Sequence, residues 1–286
     1  MKNKFNVITE KLGFAVLTAC LLVVVLIIVI IFTNIIINGH SAISLDFIIK
    51  APTDGMTKGG IMPAIVGTFL VTVITAIFSI PLGMGCAIYL NEYAKQNLFT
   101  KLVRISIRNL AGVPSIVYGL FGVILFVQFL HLGTSVLAAG LTLSLMTLPL
   151  TITASEEALK NIPMSFREGS LALGATKWQA IRTNVLPYAV PGMLTGTILG
   201  LSRAAGETAP ILFTGVAFYL PYLPKGVLDQ FMALPYHLYI MATQHHDITL
   251  VKPIAYGTAM VLIGLVFIMN LGAIILRYRL RKNRKE

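Results

Sequence analysis

Cysteine is scarce, with 2 in 286 residues. Cys20 and Cys86 both fall in apolar runs, and their spacing fits neither a disulfide framework nor a zinc site. Charge is scarce as well, at 12% of residues, and it leans one way: 22 Lys and Arg against 11 Asp and Glu. With 56% hydrophobic residues and a mean hydropathy of +0.84, too little polar sequence remains to cover a soluble core, which excludes a soluble globular domain. There is no G-x-x-x-x-G-K-[ST] phosphate loop, so any ATP must be bound by another chain. There is no H-E-x-x-H motif and no nucleophile–base set on facing spans, which argues against an intramembrane enzyme. Internal repeats and strand-like alternation of useful length are also missing. His237, His245, His246 and Asp247 offer no ligand pair at i and i+4, so polar loop residues are a simpler account of them than a metal site.

What the chain has is long apolar runs. They cover about 12–37, 59–90, 110–130, 134–153, 188–218 and 253–276. They predict one all-α domain, a polytopic membrane helical bundle of six transmembrane helices over 12–276, between a head at 1–11 and a basic tail at 277–286. The first run is far longer than the ~7–15 apolar residues of a signal peptide. Leu17-Thr18-Ala19-Cys20 has the look of a lipoprotein cleavage box, but the apolar run continues past it, and a membrane helix is the better reading. Pro63, Pro81, Gly83 and Gly85 in the second run predict a kink or break near Pro81.

Six spans put both termini on one side. Seventeen of the 22 Lys and Arg residues fall on that side: Lys2, Lys4 and Lys11, four between 91 and 109, four in the loop at 156–187, and six in the tail. The other side has Lys50, Lys58, Lys225 and Lys252, and Arg203 lies within a span. The excess of Lys and Arg on one side predicts cytoplasmic termini and a cytoplasmic 156–187 loop. The net charge of +11 therefore reports topology, with no nucleic acid implied. On the opposite side the aromatic, proline-containing stretch at 219–252 predicts an interfacial or docking segment.

The 156–187 loop carries the densest local signals. Ser165-x-x-Glu168 has the form of a capping box, Gly174 fits a left-handed helix stop, and Thr176-x-x-Gln179 is a second capping box. Leu186-Pro187 predicts the end of that second helix before the chain re-enters the membrane. Gly169, Ser170 and Ala172 are small enough to let another protein approach the first helix closely. From spacing alone, an ordinary capped surface loop fits equally well.

The fifth run holds a ridge of small side chains, Gly192, Gly196, Gly200, Ala204 and Thr208, which predicts close helix packing in lipid. On the neighbouring ridge Arg203 and Glu207 stand one turn apart, within pairing range, roughly midway along the run. Charges at membrane depth are costly and are read by default as lining a polar pathway. A structural ion pair that fixes helix register is the alternative.

Two sets of motifs then resemble known families. Glu168-Gly169-Ser170-x-x-x-Gly174 followed by Leu186-Pro187 resembles the cytoplasmic E-A-A-x-x-x-G … I-x-L-P loop of binding-protein-dependent ABC transporter permeases. Gly169 and Ser170 replace the two alanines, and Asn184 stands where isoleucine is usual. The segment from Arg203 to Thr214, together with Ala64–Thr68, Ala87–Tyr93 and Leu110–Phe121, resembles the phosphate-importer permease of the A type. The resemblance implies a type I ABC importer permease-like fold. It also implies a heterodimer with a second homologous permease, ATP-binding ABC subunits that dock on the loop through Ser165, Glu168, Gly169, Ser170, Gly174, Thr176, Leu186 and Pro187, and an extracytoplasmic phosphate-binding protein. ATP would be used by the partner subunits, with no cofactor bound by this chain. Inorganic phosphate would pass by Arg203 and Glu207. A permease for sulfate or molybdate is the nearest alternative, with a stand-alone channel or an intramembrane enzyme further off.

Overall fold

The computed structural model describes residues 4–282. In lipid each backbone N–H and C=O must be satisfied within its own segment, so the apolar runs fold as helices. The first is α1 (Lys4–Gly39), which already takes in part of the head expected at 1–11. A 3-10 turn leads to α2 (Leu45–Ile49), where the Ser44 hydroxyl accepts from the Phe47 N–H. A short antiparallel hairpin of β1 (Pro52–Thr53) and β2 (Lys58–Gly59) comes next. α3 (Met62–Ile88) continues through Pro81 without a break and passes into a π turn at Tyr89–Tyr93.

The third run is not one straight helix. α4 (Leu98–Leu110) and α5 (Ser115–Gly122), the latter prolonged by a π segment at Val123–Phe129, meet at 103°. Gly112 and Pro114 fall in the four residues between them, and a residue before proline avoids helical backbone. The predicted start of a span at Leu110 is therefore corrected: Leu110 ends α4, and the apolar segment begins at Ser115. α6 (Val136–Lys160) is N-capped by Ser135 and outruns its predicted end at 153. After the loop helices α7 (Ser165–Ala172) and α8 (Lys177–Ala180), a π turn at Ile181–Val185 leads directly into α9 (Leu186–Gly206).

α9 stops at Gly206, well before residue 218 where the fifth run was expected to end. The next helix would need an N–H at position 210 to reach the Gly206 carbonyl, and Pro210 has none. Glu207 accordingly turns extended (φ −76°, ψ 138°), and α10 (Ala209–Leu212) begins afresh. α11 (Leu234–Thr243) precedes α12 (Ile248–Lys282), which starts earlier than predicted because the Asp247 carboxylate accepts the Leu250 N–H at 3.0 Å and the Thr249 hydroxyl at 2.7 Å. These donors hold the Asp247 carboxyl below its usual range, the Thr249 hydroxyl contributing most. The tail is thus helical as far as Lys282; Arg284 and Lys285 lie outside the described residues.

Among the described residues five helices are long and apolar enough to cross a membrane, and the bent α4–α5 pair, taken as one crossing, makes a sixth. α3 and α6 form the centre of the bundle. A Cβ on Gly140 would fall 2.4 Å from the Ile74 side chain, so the two helices touch through a residue that has none. Hydroxyls inside the contact bond to helix carbonyls: Thr75 donates to Val71 at 2.7 Å, and Ser144 donates to Gly140 at 2.7 Å and across to Thr75 at 3.2 Å. α1 lies along α12 and turns its apolar side chains outward, as a lipid-facing helix must.

At the end of the bundle away from the 156–187 loop, the long connection folds over the start of α6. Val136 and Leu137 donate their N–H groups to the carbonyls of Asp229 and Val227 at 2.9 and 2.8 Å, filling positions that a helix start leaves open. In the same region His245 Nε2 lies 2.9 Å from the Gly55 carbonyl oxygen, whereas His237 is buried with neither ring nitrogen hydrogen-bonded. Burial pushes the His237 imidazole down to about 4, which keeps it neutral at pH 7. Among the described residues no group of three or more His, Cys, Asp or Glu could hold a metal ion.

Candidate functional site

Two places in the fold concentrate polar chemistry. The first is the loop between α6 and α9. Gly174 has φ +83°, the left-handed stop that only glycine adopts without a Cβ penalty, and a Cβ there would meet nothing within 4 Å. Thr176 caps α8 in a full capping box: its hydroxyl accepts the Gln179 N–H at 3.3 Å, and the Gln179 side chain accepts the Thr176 N–H at 2.8 Å.

The first predicted capping box does not form. Met164 (φ −63°, ψ −29°) is already helical, so Ser165 lies inside α7 and cannot take the extended backbone of a cap. Pro163, whose φ is preset, starts the turn, and the N–H groups of Phe166 and Arg167 go to the carbonyls of Pro163 and Met164. Glu168 stays exposed. The expected stop at Leu186-Pro187 is corrected too: the helix passes through the π turn and Pro187 falls in the first turn of α9, where no N–H is needed.

The small residues of α7 divide by face. Gly169 and Ala172 are exposed, and a Cβ on Gly169 would meet nothing within 4 Å. Ser170 is buried, and its hydroxyl accepts a short bond from Asn184 Nδ2. The outer surface of the loop is apolar in places: Leu173 is 90% exposed and Trp178 51%.

Two ion pairs that the sequence did not single out hold this loop. Glu92, in the π turn after α3, pairs with Arg167 at 2.6 Å. Arg104 of α4 lies 2.7 Å from Glu156 Oε1, an ion pair without hydrogen-bond alignment, and donates to the Leu90 carbonyl at 2.8 Å. Beneath α7 and α8 lies an open cleft of about 640 Å³ lined by Glu92, Lys160, Met164, Arg167, Lys177 and Ile181, among others. The Ala87–Tyr93 block in the sequence gave no signal of a role for Glu92, because its partner lies 75 positions away.

The second place is the break after α9. Arg203 Nε donates to Glu207 Oε1 at 3.1 Å, with side-chain exposures of 48% and 17%. Arg203 sits in the last turn of α9 and not midway along a longer helix, since Pro210 ends the helix early. A cation there meets the negative end of the helix dipole. The neighbouring ridge presses on α6. A Cβ on Gly196 would come 1.9 Å from Ala154 Cβ, and one on Gly192 2.9 Å from Ala158 Cβ, but at Gly200 the nearest atoms are 3.9 Å off.

The helical bundle with its bent crossing has the fold of a type I ABC importer permease. Residues 79–282 match the family described as "Binding-protein-dependent transport system inner membrane component", and the chain belongs to that family. It is a membrane permease and not itself an enzyme. It is 33% identical to the "Probable ABC transporter permease protein YqgI" of Bacillus subtilis (strain 168), over 93% of this chain and 94% of that one. It is 35% identical to the "Phosphate transport system permease protein PstA 1" of Mycobacterium tuberculosis (strain ATCC 25618 / H37Rv), over 79% and 72% of the two chains. In fold it is similar to a chain of a bacterial alginate ABC transporter (TM-score 0.68, 13% identity, 96% of both chains covered) and to one of the MetNI methionine ABC transporter (TM-score 0.61, 18% identity, 76% of this chain and 94% of that one).

Proposed function

We propose that this permease carries inorganic phosphate inward as one of two homologous permease subunits of an ATP-driven importer. Its termini and its 156–187 loop face the cytoplasm, where α7 and α8 dock on ATP-binding subunits. An extracytoplasmic phosphate-binding protein delivers substrate to the opposite face. The relatives named as phosphate transport permeases support the substrate, and the exposed Leu173 and Trp178 beside the Gly174 elbow support the docking surface.

The observation that carries the substrate reading is Arg203. Its guanidinium is half-exposed and held by a single hydrogen bond among the described residues. Phosphate near neutral pH is an anion whose oxygens match the planar fork of guanidinium donors. Glu207 holds the fork when substrate is absent and yields it when the oxyanion competes. A permanently tight site would stall transport, so an exchangeable pair suits a pathway.

Three measurements test this reading. The chain expressed with the other subunits of its complex should copurify with an ATP-binding subunit, and phosphate uptake should resist competition by sulfate; uptake competed equally by sulfate would move the substrate to another oxyanion. Single cysteines at Thr176 and Thr249, in a background lacking Cys20 and Cys86, should label from opposite faces. Labelling of both from one face would remove the proposed topology.

A further inference from the structure

The loop helix α7 is tied to three other elements by polar and aromatic contacts. Arg167 is the centre of that arrangement. Its Nε donates to both Glu92 oxygens at 3.1 and 3.2 Å, and its Nη2 donates to Glu92 Oε1 at 2.6 Å. The same Nη2 reaches the Leu159 carbonyl at 3.1 Å, and Nη1 reaches the Ile162 carbonyl at 2.9 Å. Leu159 lies in the last turn of α6 and Ile162 just beyond it, where a helix end leaves carbonyls without partners. One guanidinium thus joins α7 to the end of α6 and to the end of α3. Both side chains are nearly buried, at 12% and 5% exposure. On the other flank of α7 the Asn184–Ser170 bond and the edge-on contact of Phe166 with Tyr188 (ring centres 5.0 Å apart) fasten it to the π turn and α9.

Glu92 is placed for this by an irregularity. A π turn inserts an extra residue into a helix and rotates the residues beyond it, and it marks functional sites more often than ordinary helix does. The turn at Tyr89–Tyr93 carries Glu92 to the Arg167 side, and Asn91 Nδ2 donates to Glu92 Oε1 at 2.8 Å. A second π turn, Ile181–Val185, lies on the α9 side of the same loop. α3 and α9 are therefore both wound irregularly next to α7.

We propose that Arg167 is a positioning residue that transmits movement of the docking helix to α3, with Glu92 as its counter-group. This rests on the reading of the loop as the ATPase docking site. When the ATPases move α7, the charged link carries the end of α3 with it; without the link α7 shifts while α3 stays. The prediction is uncoupling: ATP hydrolysis persists while transport falls.

The test uses the whole complex in proteoliposomes, with phosphate uptake and ATP hydrolysis measured together with subunit copurification. Arg167→Gln and Glu92→Gln each strand a buried partner and can lower yield, so two paired variants decide the matter. Glu92→Gln with Arg167→Gln removes both charges. It should assemble and hydrolyse ATP, with the phosphate-to-ATP ratio lowered at least about tenfold. The exchange Glu92→Arg with Arg167→Glu restores a link of opposite sense and should recover a substantial part of that ratio. A wild-type ratio in the doubly neutral variant would overturn the proposal, as would a failure of the exchange variant, once assembled, to exceed the doubly neutral one. Leu173→Asp separates the two readings, because it leaves the clamp untouched. If it abolishes ATPase copurification while the neutral pair transports normally, the docking reading stands and the clamp falls. If it leaves copurification and uptake intact, the docking reading itself fails.

Discussion

Two of the Arg–Glu pairs among the described residues have opposite designs. Arg167 and Glu92 come from distant parts of the chain, are nearly buried, and spend the guanidinium on five hydrogen bonds to two carboxylate oxygens and two carbonyls. Arg203 and Glu207 come from adjacent turns, and one bond of 3.1 Å joins them while the arginine is half-exposed. The first pair is fixed by its surroundings and holds a helix in place. The second is held by that one bond at a helix break, which is why we propose that it exchanges partners. The surrounding helices show the same gradient: α9 is pressed against α6 at Gly196 and Gly192, and the contact relaxes at Gly200 on the way to Arg203.

The comparison breaks most directly at the acids. Removing one member of a buried pair typically costs about 3–5 kcal/mol, while an exposed i,i+4 pair is worth only about 0.3–0.5 kcal/mol. Glu92→Ala should therefore lower thermal stability and yield of the complex sharply, and Glu207→Ala should leave both nearly unchanged. Equal losses in a thermal melt would erase the distinction.

A smaller effect sharpens the packing gradient. Gly196→Val places methyl groups where Ala154 already sits, and overpacking of this kind costs about 1–3 kcal/mol. Gly200→Ala adds a carbon in ordinary contact and should stay within about 0.5 kcal/mol. If both behave alike in a melt, α9 does not loosen toward Arg203. Gly174→Val comes next, because a β-branched residue at φ +83° opposes the left-handed elbow at about 1–2 kcal/mol. The variant should insert normally yet copurify less ATP-binding subunit.

The smallest effect separates the two loop caps. Thr176→Ala should cost about 1 kcal/mol, since its hydroxyl makes a real cap, and Ser165→Ala should cost nothing measurable because Ser165 is already inside the helix. Glu168→Ala should likewise be silent for folding.

Legibility followed the range of the interaction. Apolar runs named the bundle and its long helices because lipid forces helix on any such segment. Gly174 and the Thr176 cap were readable because both are decided within four residues. The same local reading misplaced the Ser165 cap, since Pro163 had already started the turn. It also carried α9 too far, because the missing Pro210 N–H outweighs an apolar pattern. Glu92 and Arg104 were invisible as site residues, for their partners lie far along the chain and π turns leave no mark in periodicity. Ser170 and Asn184, each a departure from the permease loop pattern, turned out to bond to one another. A polar contact stands there where the pattern has two apolar residues.

We propose above that Arg203 is an exchangeable group on the phosphate path. Its most direct test is Arg203→Gln, with phosphate uptake and yield of the assembled complex measured in the same membranes. The account predicts uptake at background with wild-type yield, and partial uptake for Arg203→Lys, which keeps the charge but not the fork. Uptake by Arg203→Gln at the wild-type rate, or loss of assembly in that variant, would contradict it.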